Sequence, residues 1–231
     1  MLPRLPQVPQ PCLCLVTDRA VGDSTTLVSR IAEAVAGGVD MIQLREKDLP
    51  GGRLLSLAES IQDAVGGQVL LIINERVDVA LAAGASGVQL GEEGLSVTAA
   101  RQIAGQDFLI GRSVHSEGGA AQAVAQGADF LVVGTMYATR SHSGAAPVGP
   151  GLVRRIAANC RTPLIGIGGI NESNIIQVLK AGASGVAVIT SILASPDPKQ
   201  AAQTLKRAML DSWPAGSSSM QGEAQGGSRA R

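Results

Sequence analysis

One phrase occurs four times in this chain of 231 residues, and it constrains the fold more than any other feature. A run of small residues ends in glycine, then a small residue and Asp or Ser, and an apolar run follows. Ala36-Gly37-Gly38-Val39-Asp40 leads into Met41-Ile42-Gln43-Leu44, and Ala83-Gly84-Ala85-Ser86-Gly87 leads into Val88-Gln89-Leu90. Gln126-Gly127-Ala128-Asp129 precedes Phe130-Leu131-Val132-Val133, and Ala181-Gly182-Ala183-Ser184-Gly185 precedes Val186-Ala187-Val188-Ile189. Glycine just past a helix closes its last turn, and a short continuous apolar run is a strand buried on both faces. Each copy is a helix handing over to an interior parallel strand.

The same pattern places strands near 12–17, 40–45, 69–74, 87–91, 108–113, 130–134, 163–167 and 185–189. Helical periodicity fills the gaps at 24–36, 53–65, 77–83, 96–104, 117–126, 151–159 and 172–181, with a last helix near 197–211. Strands alternating with helices in this number predict an α/β protein, a single (β/α)8 TIM barrel over residues 11–212. Residues 1–10 hold Pro3, Pro6 and Pro9 and read as a Pro-rich leader without the apolar stretch of a secretory signal. Residues 213–231 are rich in Gly, Ser and Gln and read as a disordered tail.

Aromatics make up 2% of the chain, so the core must be built from Val, Ile, Leu and Ala. Formal net charge is zero, which with the missing aromatics argues against nucleic acid and anionic membranes as partners. No apolar run approaches the roughly 18 residues that span a bilayer. Cys12, Cys14 and Cys160 lack C-x-x-C spacing and read as reduced residues of a cytoplasmic protein.

In such barrels the chemistry sits on loops beyond the strands' C-terminal ends. Here those loops carry the polar residues, while the opposite loops are plain Gly-Ala turns. Arg45 and Lys47 follow strand 2, where two close cations suit a carboxylate or phosphate, unless they form a rim salt bridge with Asp18. Asn74 ends an apolar strand and needs a partner, whereas Arg76 and Asp78 read as structural. Gly166-Ile167-Gly168-Gly169-Ile170 leads into Asn171, an N-cap residue, and then a helix. Its backbone amides, with the hydroxyls of Thr190 and Ser191, predict a phosphate site after strands 7 and 8. The two histidines, His115 and His142, each follow a strand, and imidazole is the side chain suited to proton transfer near neutrality.

Taken together these strings resemble the thiamine phosphate synthase/TenI superfamily, over a span from Leu13 to Leu210. Gln43-x-Arg45-x-Lys47 and Asn74-x-Arg76-Val77-Asp78 are the more specific of them. The resemblance implies one of two activities in thiamin biosynthesis. A synthase joins an aminopyrimidine methyl pyrophosphate to a thiazole phosphate and needs Mg²⁺ for the departing charge. Its magnesium carboxylates are an Asn-Asp pair after strand 3 and a Gly-Gln-Glu-Asp string after strand 4. Here those positions read Asn74-Glu75 and Gly91-Glu92-Glu93-Gly94, which leaves Glu75, Glu92 and Glu93 as the metal set. The synthase lysine after strand 6 is replaced by His142 in Thr139-Arg140-Ser141-His142.

A TenI-type tautomerase instead shifts a proton in a carboxythiazole phosphate and needs no cofactor. Gly111-Arg112-Ser113-Val114-His115-Ser116 is similar to that branch, chiefly through Arg112, and assigns His115 as the base, with His142 as a second acid/base. Gln43, Arg45, Lys47, Asn74, Ser113, Thr139, Ser141, Gly168, Gly169, Thr190 and Ser191 complete the expected substrate contacts. Weak metal ligation makes the tautomerase our first expectation and the synthase the alternative, with a catalytically silent phosphate-binding barrel third. The ligand in each case is a phosphorylated thiazole, and the barrel is expected to form a homo-oligomer.

Overall fold

The computed structural model describes residues 6–21, 24–138 and 146–214. Within them eight parallel strands close in sequence order into one ring. They are β1 (Cys12–Val16), β2 (Met41–Leu44), β3 (Leu70–Asn74), β4 (Gly87–Leu90), β5 (Leu109–Val114), β6 (Phe130–Gly134), β7 (Leu164–Ile167) and β8 (Gly185–Val188). β8 returns to pair with β1, Cys12 opposite Gly185 and Leu15 opposite Val188. Outside the ring run α1 (Leu27–Ala36), α2 (Gly51–Val65), α3 (Val77–Ala82), α4 (Val97–Ala104) and α5 (Glu117–Ala125). They are followed by α6 (Gly149–Ala157), α7 (Ile175–Lys180), α8 (Thr190–Leu193) and α9 (Pro198–Ser212). No helix among the described residues is long and apolar enough to cross a membrane.

The structure explains why the repeated phrase carries Asp or Ser where it does. Asp40 Oδ2 accepts the Leu13 amide at 2.7 Å, Ser86 Oγ the Leu71 amide at 3.2 Å, Asp129 Oδ2 the Ile110 amide at 2.7 Å, and Ser184 Oγ the Leu164 amide at 3.3 Å. The same four residues return their own amides to the carbonyls of Leu13, Leu71, Ile110 and Leu164. Each odd-numbered strand is thus latched at its start to the residue directly before the next even-numbered strand. The latch satisfies backbone groups that a buried strand end would otherwise leave unpaired. Asp40 does double duty, since Lys206 of α9 donates to both its oxygens at 2.8 and 2.7 Å and ties the last helix to the first strand.

Three helix starts depart from the expectation, the first because Ser24–Thr26 forms a 3-10 turn ahead of α1. The helix predicted from residue 172 begins at Ile175. Asn171 does not cap it, because its Oδ1 accepts from the Ser173 amide and hydroxyl while Asn174 Oδ1 accepts the Asn171 amide. Asx hydrogen bonds of this kind compete with the helix for the same backbone groups. Thr190 and Ser191, expected in a loop, open the extra short helix α8.

Strand alternation sorts the ring into two shells. Cys12, Cys14, Val16, Met41, Ile72, Leu109, Phe130, Val132, Ile165 and Ala187 fill the barrel interior, and the larger apolar cluster lies between strands and helices. Val8, ahead of β1, is packed into the interior cluster as well. Cys12 and Cys14 are buried thiols, free of disulfides, and burial pushes the Cys14 thiol up to about 12 and Cys12 well above its ordinary value. Because the thiolate is the reactive form, a thiol reagent at about pH 8 should label Cys160 in the folded chain and all three cysteines in denaturant. Rapid labelling of Cys12 or Cys14 under native conditions would contradict this packing.

Candidate active site

The inward parity that fills the lower barrel with apolar side chains continues upward into polar ones. Gln43 stands two residues above Met41, Asn74 two above Ile72, and Ser113 four above Leu109, each on the inner face of its strand. Strand register sets Gln43 beside Ile72 and Gln89 beside Gly111, so each amide reaches up to the polar residue two positions higher on the next strand. Gln43 Nε2 donates to Asn74 Oδ1 at 3.0 Å, and Gln89 Nε2 donates to Ser113 Oγ at 3.1 Å. The partner that the end of an apolar strand required for Asn74 is therefore Gln43.

Above this polar layer opens a pocket of about 350 Å³ at the C-terminal end of the barrel. Gln43, Arg45, Lys47, Asn74, Ser113, His115 and Gly168 line it, as do Glu75, Glu92 and Glu93. Among the described residues no ion pair engages Arg45 or Lys47. The rim salt bridge with Asp18 is absent, because Asp18 Oδ1 accepts the Ala20 amide and Arg19 takes the acidic residues of the β2 loop, Glu46 and Asp48. Arg76 and Asp78 form the structural pair expected of them, with two hydrogen bonds of 2.8 and 2.6 Å. The Arg76 guanidinium holds the Asp78 carboxyl below its ordinary value.

His115 faces Glu92, Nδ1 to Oε2 at 3.0 Å, and its amide donates to Glu92 Oε1 at 3.2 Å. Glu92 is held in turn by Arg112, whose guanidinium donates to the carbonyls of Glu92 and Leu95 at 2.8 and 2.7 Å. Arg112 thus braces the β4 loop and does not line the pocket. A carboxylate on Nδ1 fixes the ring's orientation and turns Nε2 away from Glu92.

Glu75 has φ 63°, a left-handed backbone that is uncommon outside glycine. Its amide donates to the Gln89 carbonyl, and its Oε1 accepts the Gly91 amide at 2.7 Å. A β-carbon added to Gly94 would overlap the Glu75 carboxylate. The two departures from the synthase pattern, a longer acid at 75 and glycine at 94, therefore fit one another in space. Gly94→Ala should push the Glu75 carboxylate, the free end of a flexible side chain, off its bond to the Gly91 amide, and lower stability by no more than about 1 kcal/mol in a denaturant titration. A loss of several kcal/mol would contradict this contact.

Among the described residues no three His, Cys, Asp or Glu side chains gather into a metal cage. Mg²⁺ is held by one or two carboxylates with waters and substrate phosphates, not by an all-protein cage. The cradle at Gly94 presents the Glu75 carboxylate to the same pocket that Glu93 lines, so these hard oxygen donors fit the ion. Glu92 is committed to His115.

Other expected residues fall elsewhere. Ser191 Oγ donates to the Ile170 carbonyl at 2.6 Å and faces a separate groove beside Asn171 and Gln200. Thr190 is exposed at the first position of α8. Gly169 lies just past Gly168, its carbonyl accepting from Asn174 Nδ2 at 3.0 Å. Thr139, Ser141 and His142 lie outside the described residues, as does Arg140. Gln89 and the buried Thr135, which lines the pocket, had not been singled out. The signal for Gln89 was present: a lone amide inside Val88-Gln89-Leu90, on the parity that faces inward.

Residues 13–192 match the TMP-TENI family, described as thiamine monophosphate synthase. The chain belongs to this family. It is 43% identical over 196 residues to the thiamine-phosphate synthase of Methanoculleus marisnigri, covering 84% of this chain and 93% of that one. It is 42% identical over 194 residues to the thiamine-phosphate synthase of Haloquadratum walsbyi, covering 82% and 86% respectively. The thiamine phosphate pyrophosphorylase from Pyrococcus furiosus superposes with a TM-score of 0.81 at 33% identity, over 88% of this chain and 98% of that one. This thiamine monophosphate synthase family member therefore shares fold and length with proteins that bear the synthase name. The relatives favour the synthase alternative over the tautomerase that weak metal ligation had suggested.

Proposed function

We propose that the chain is a thiamine-phosphate synthase, joining an aminopyrimidine methyl pyrophosphate to a thiazole phosphate. The observation that carries the reading is the match to curated synthases along nearly their whole length. The pocket supports it. Arg45 and Lys47 offer cationic donors, unshared with any carboxylate among the described residues, to an anionic substrate. Glu75 and Glu93 would hold Mg²⁺, which when bound supplies positive charge against the departing pyrophosphate. Arg112, the residue most suggestive of a tautomerase, is occupied with loop carbonyls.

In this reading Gln43, Asn74 and Ser113 orient the pyrimidine as its methylene bonds the thiazole and pyrophosphate leaves. Gly168 and the loop after β7 contact the thiazole phosphate, and His115, aimed by Glu92, faces the reacting groups as a proton donor or acceptor. Thr139, Ser141 and His142 remain candidates for the pyrophosphate. The test is incubation with both substrates and magnesium, with and without EDTA. Metal-dependent formation of thiamine phosphate and pyrophosphate is expected. Aromatisation of carboxythiazole phosphate without any coupling would return the function to the tautomerase.

A further inference from the structure

Beneath the pocket lies a buried side chain that the reading above does not use. Gln89 is 2% exposed, and its Oε1 is buried without a hydrogen-bond partner among the described residues. Its Nε2 donates to two acceptors, the Leu90 carbonyl at 3.2 Å and Ser113 Oγ at 3.1 Å. The Leu90 carbonyl can only accept, so it fixes which end of the amide is nitrogen. That orientation fixes the sense of the neighbouring bond: Ser113 Oγ must accept from Gln89. A hydroxyl has one hydrogen, and Ser113 lines the pocket.

We infer that Gln89 is a positioning residue, which fills the acceptor side of Ser113 Oγ and so directs the serine hydrogen into the pocket as a donor to substrate. The arrangement is held by its surroundings. A β-carbon at Gly111 would overlap both Gln89 Oε1 and the ring of Phe130, so glycine there is what admits the amide. Oε1 has no partner among the described residues, and methionine of the same length would fill the space without a polar atom to satisfy.

The functional part of this inference rests on the synthase reading, and its physical part does not. In a Ser113→Cys, Cys160→Ser chain, an N–H donor at position 89 should favour the thiolate. The pH midpoint for alkylation of that cysteine should rise by about one pH unit when Gln89→Met is added. Equal midpoints would overturn the hydrogen-bond assignment. In the synthase assay, Gln89→Met should lower kcat about 10- to 100-fold while the protein melts at or above the wild-type temperature. The Gln89→Met, Ser113→Ala double variant should be no slower than Ser113→Ala alone, because one acts through the other. Multiplied losses in the double variant, or wild-type turnover by Gln89→Met, would overturn the role. Gln89→Leu serves if the methionine variant does not fold. Should the wild type make no thiamine phosphate, the functional reading fails while the alkylation midpoints still decide whether Gln89 polarises Ser113.

Discussion

Arg45→Ala is expected to lower kcat/KM for thiamine phosphate formation by about 10²–10³, with Lys47→Ala somewhat less severe. Both side chains border the pocket without a carboxylate partner among the described residues, so their charge is available to a ligand instead of being spent on the fold. Charge-assisted hydrogen bonds to phosphate are about twice as strong as neutral ones, and a planar guanidinium can make two in parallel. Arg45 is half-buried while Lys47 is exposed, which leaves Arg45 the less screened and the more demanding of the two. Arg45→Lys should therefore recover only part of the loss, since an ammonium cannot reproduce the fork. Arg155→Ala, which only parts an exposed pair with Glu117, should leave turnover near wild type. Steady-state kinetics on purified variants decides this, and near-normal kcat/KM in Arg45→Ala would remove the pair from the anion site.

Asp129→Ala is expected to destabilise the fold far more than loss of a neutral latch, by about 3–4 kcal/mol. Asp129 Oδ2 accepts the Ile110 amide at 2.7 Å and pairs with Arg101 at 2.5 Å, the two side chains being 27% and 15% exposed. Its removal strands a backbone donor at the start of β5 and leaves a guanidinium with only carbonyl partners. For a domain of this size, that corresponds to a fall in Tm of roughly 6–15 °C. Ser86→Ala breaks a neutral latch and should lose only about 1 kcal/mol. Asp78→Ala, in an exposed pair, should fall within about 0.5 kcal/mol of wild type. Calorimetric melts of the three variants should reproduce that order, and a stable Asp129→Ala protein would mean that the latch is ornamental.

Much of this architecture was readable because it repeats. Period and glycine punctuation located all eight strands, since buried parallel strands leave an unbroken apolar run that few other structures produce. The site was readable where a polar residue interrupted such a run, as at Asn74, or where charges followed one, as at Arg45 and Lys47. Helix boundaries read less well for a local reason: Asn171 has the chemistry of a cap, and its neighbours Ser173 and Asn174 captured it for a turn instead. Arg112 shows the limit of reading residues by likeness. Its position in the string pointed to the tautomerase branch, yet its guanidinium reaches two carbonyls of a loop that lies far from it in sequence. Glu75 and Gly94 each looked like a loss when taken alone, and only their juxtaposition turns the two changes into one accommodation. Gln89 was passed over because glutamine carries no charge and its importance comes from what lies above it.

The four latches have a consequence for how such a chain can be divided. They tie residue 13 to 40, 71 to 86, 110 to 129 and 164 to 184, so no latch crosses from one consecutive quarter of the ring to the next. A backbone break in the exposed stretch 105–107 would sever none of them and would leave two half-rings, each already complete at its base. What each half would lack is a flank for its outermost strands, and only the other half supplies it. Co-expressed as separate polypeptides, the halves should find one another through those open edges and through the Arg101–Asp129 pair, which spans the break.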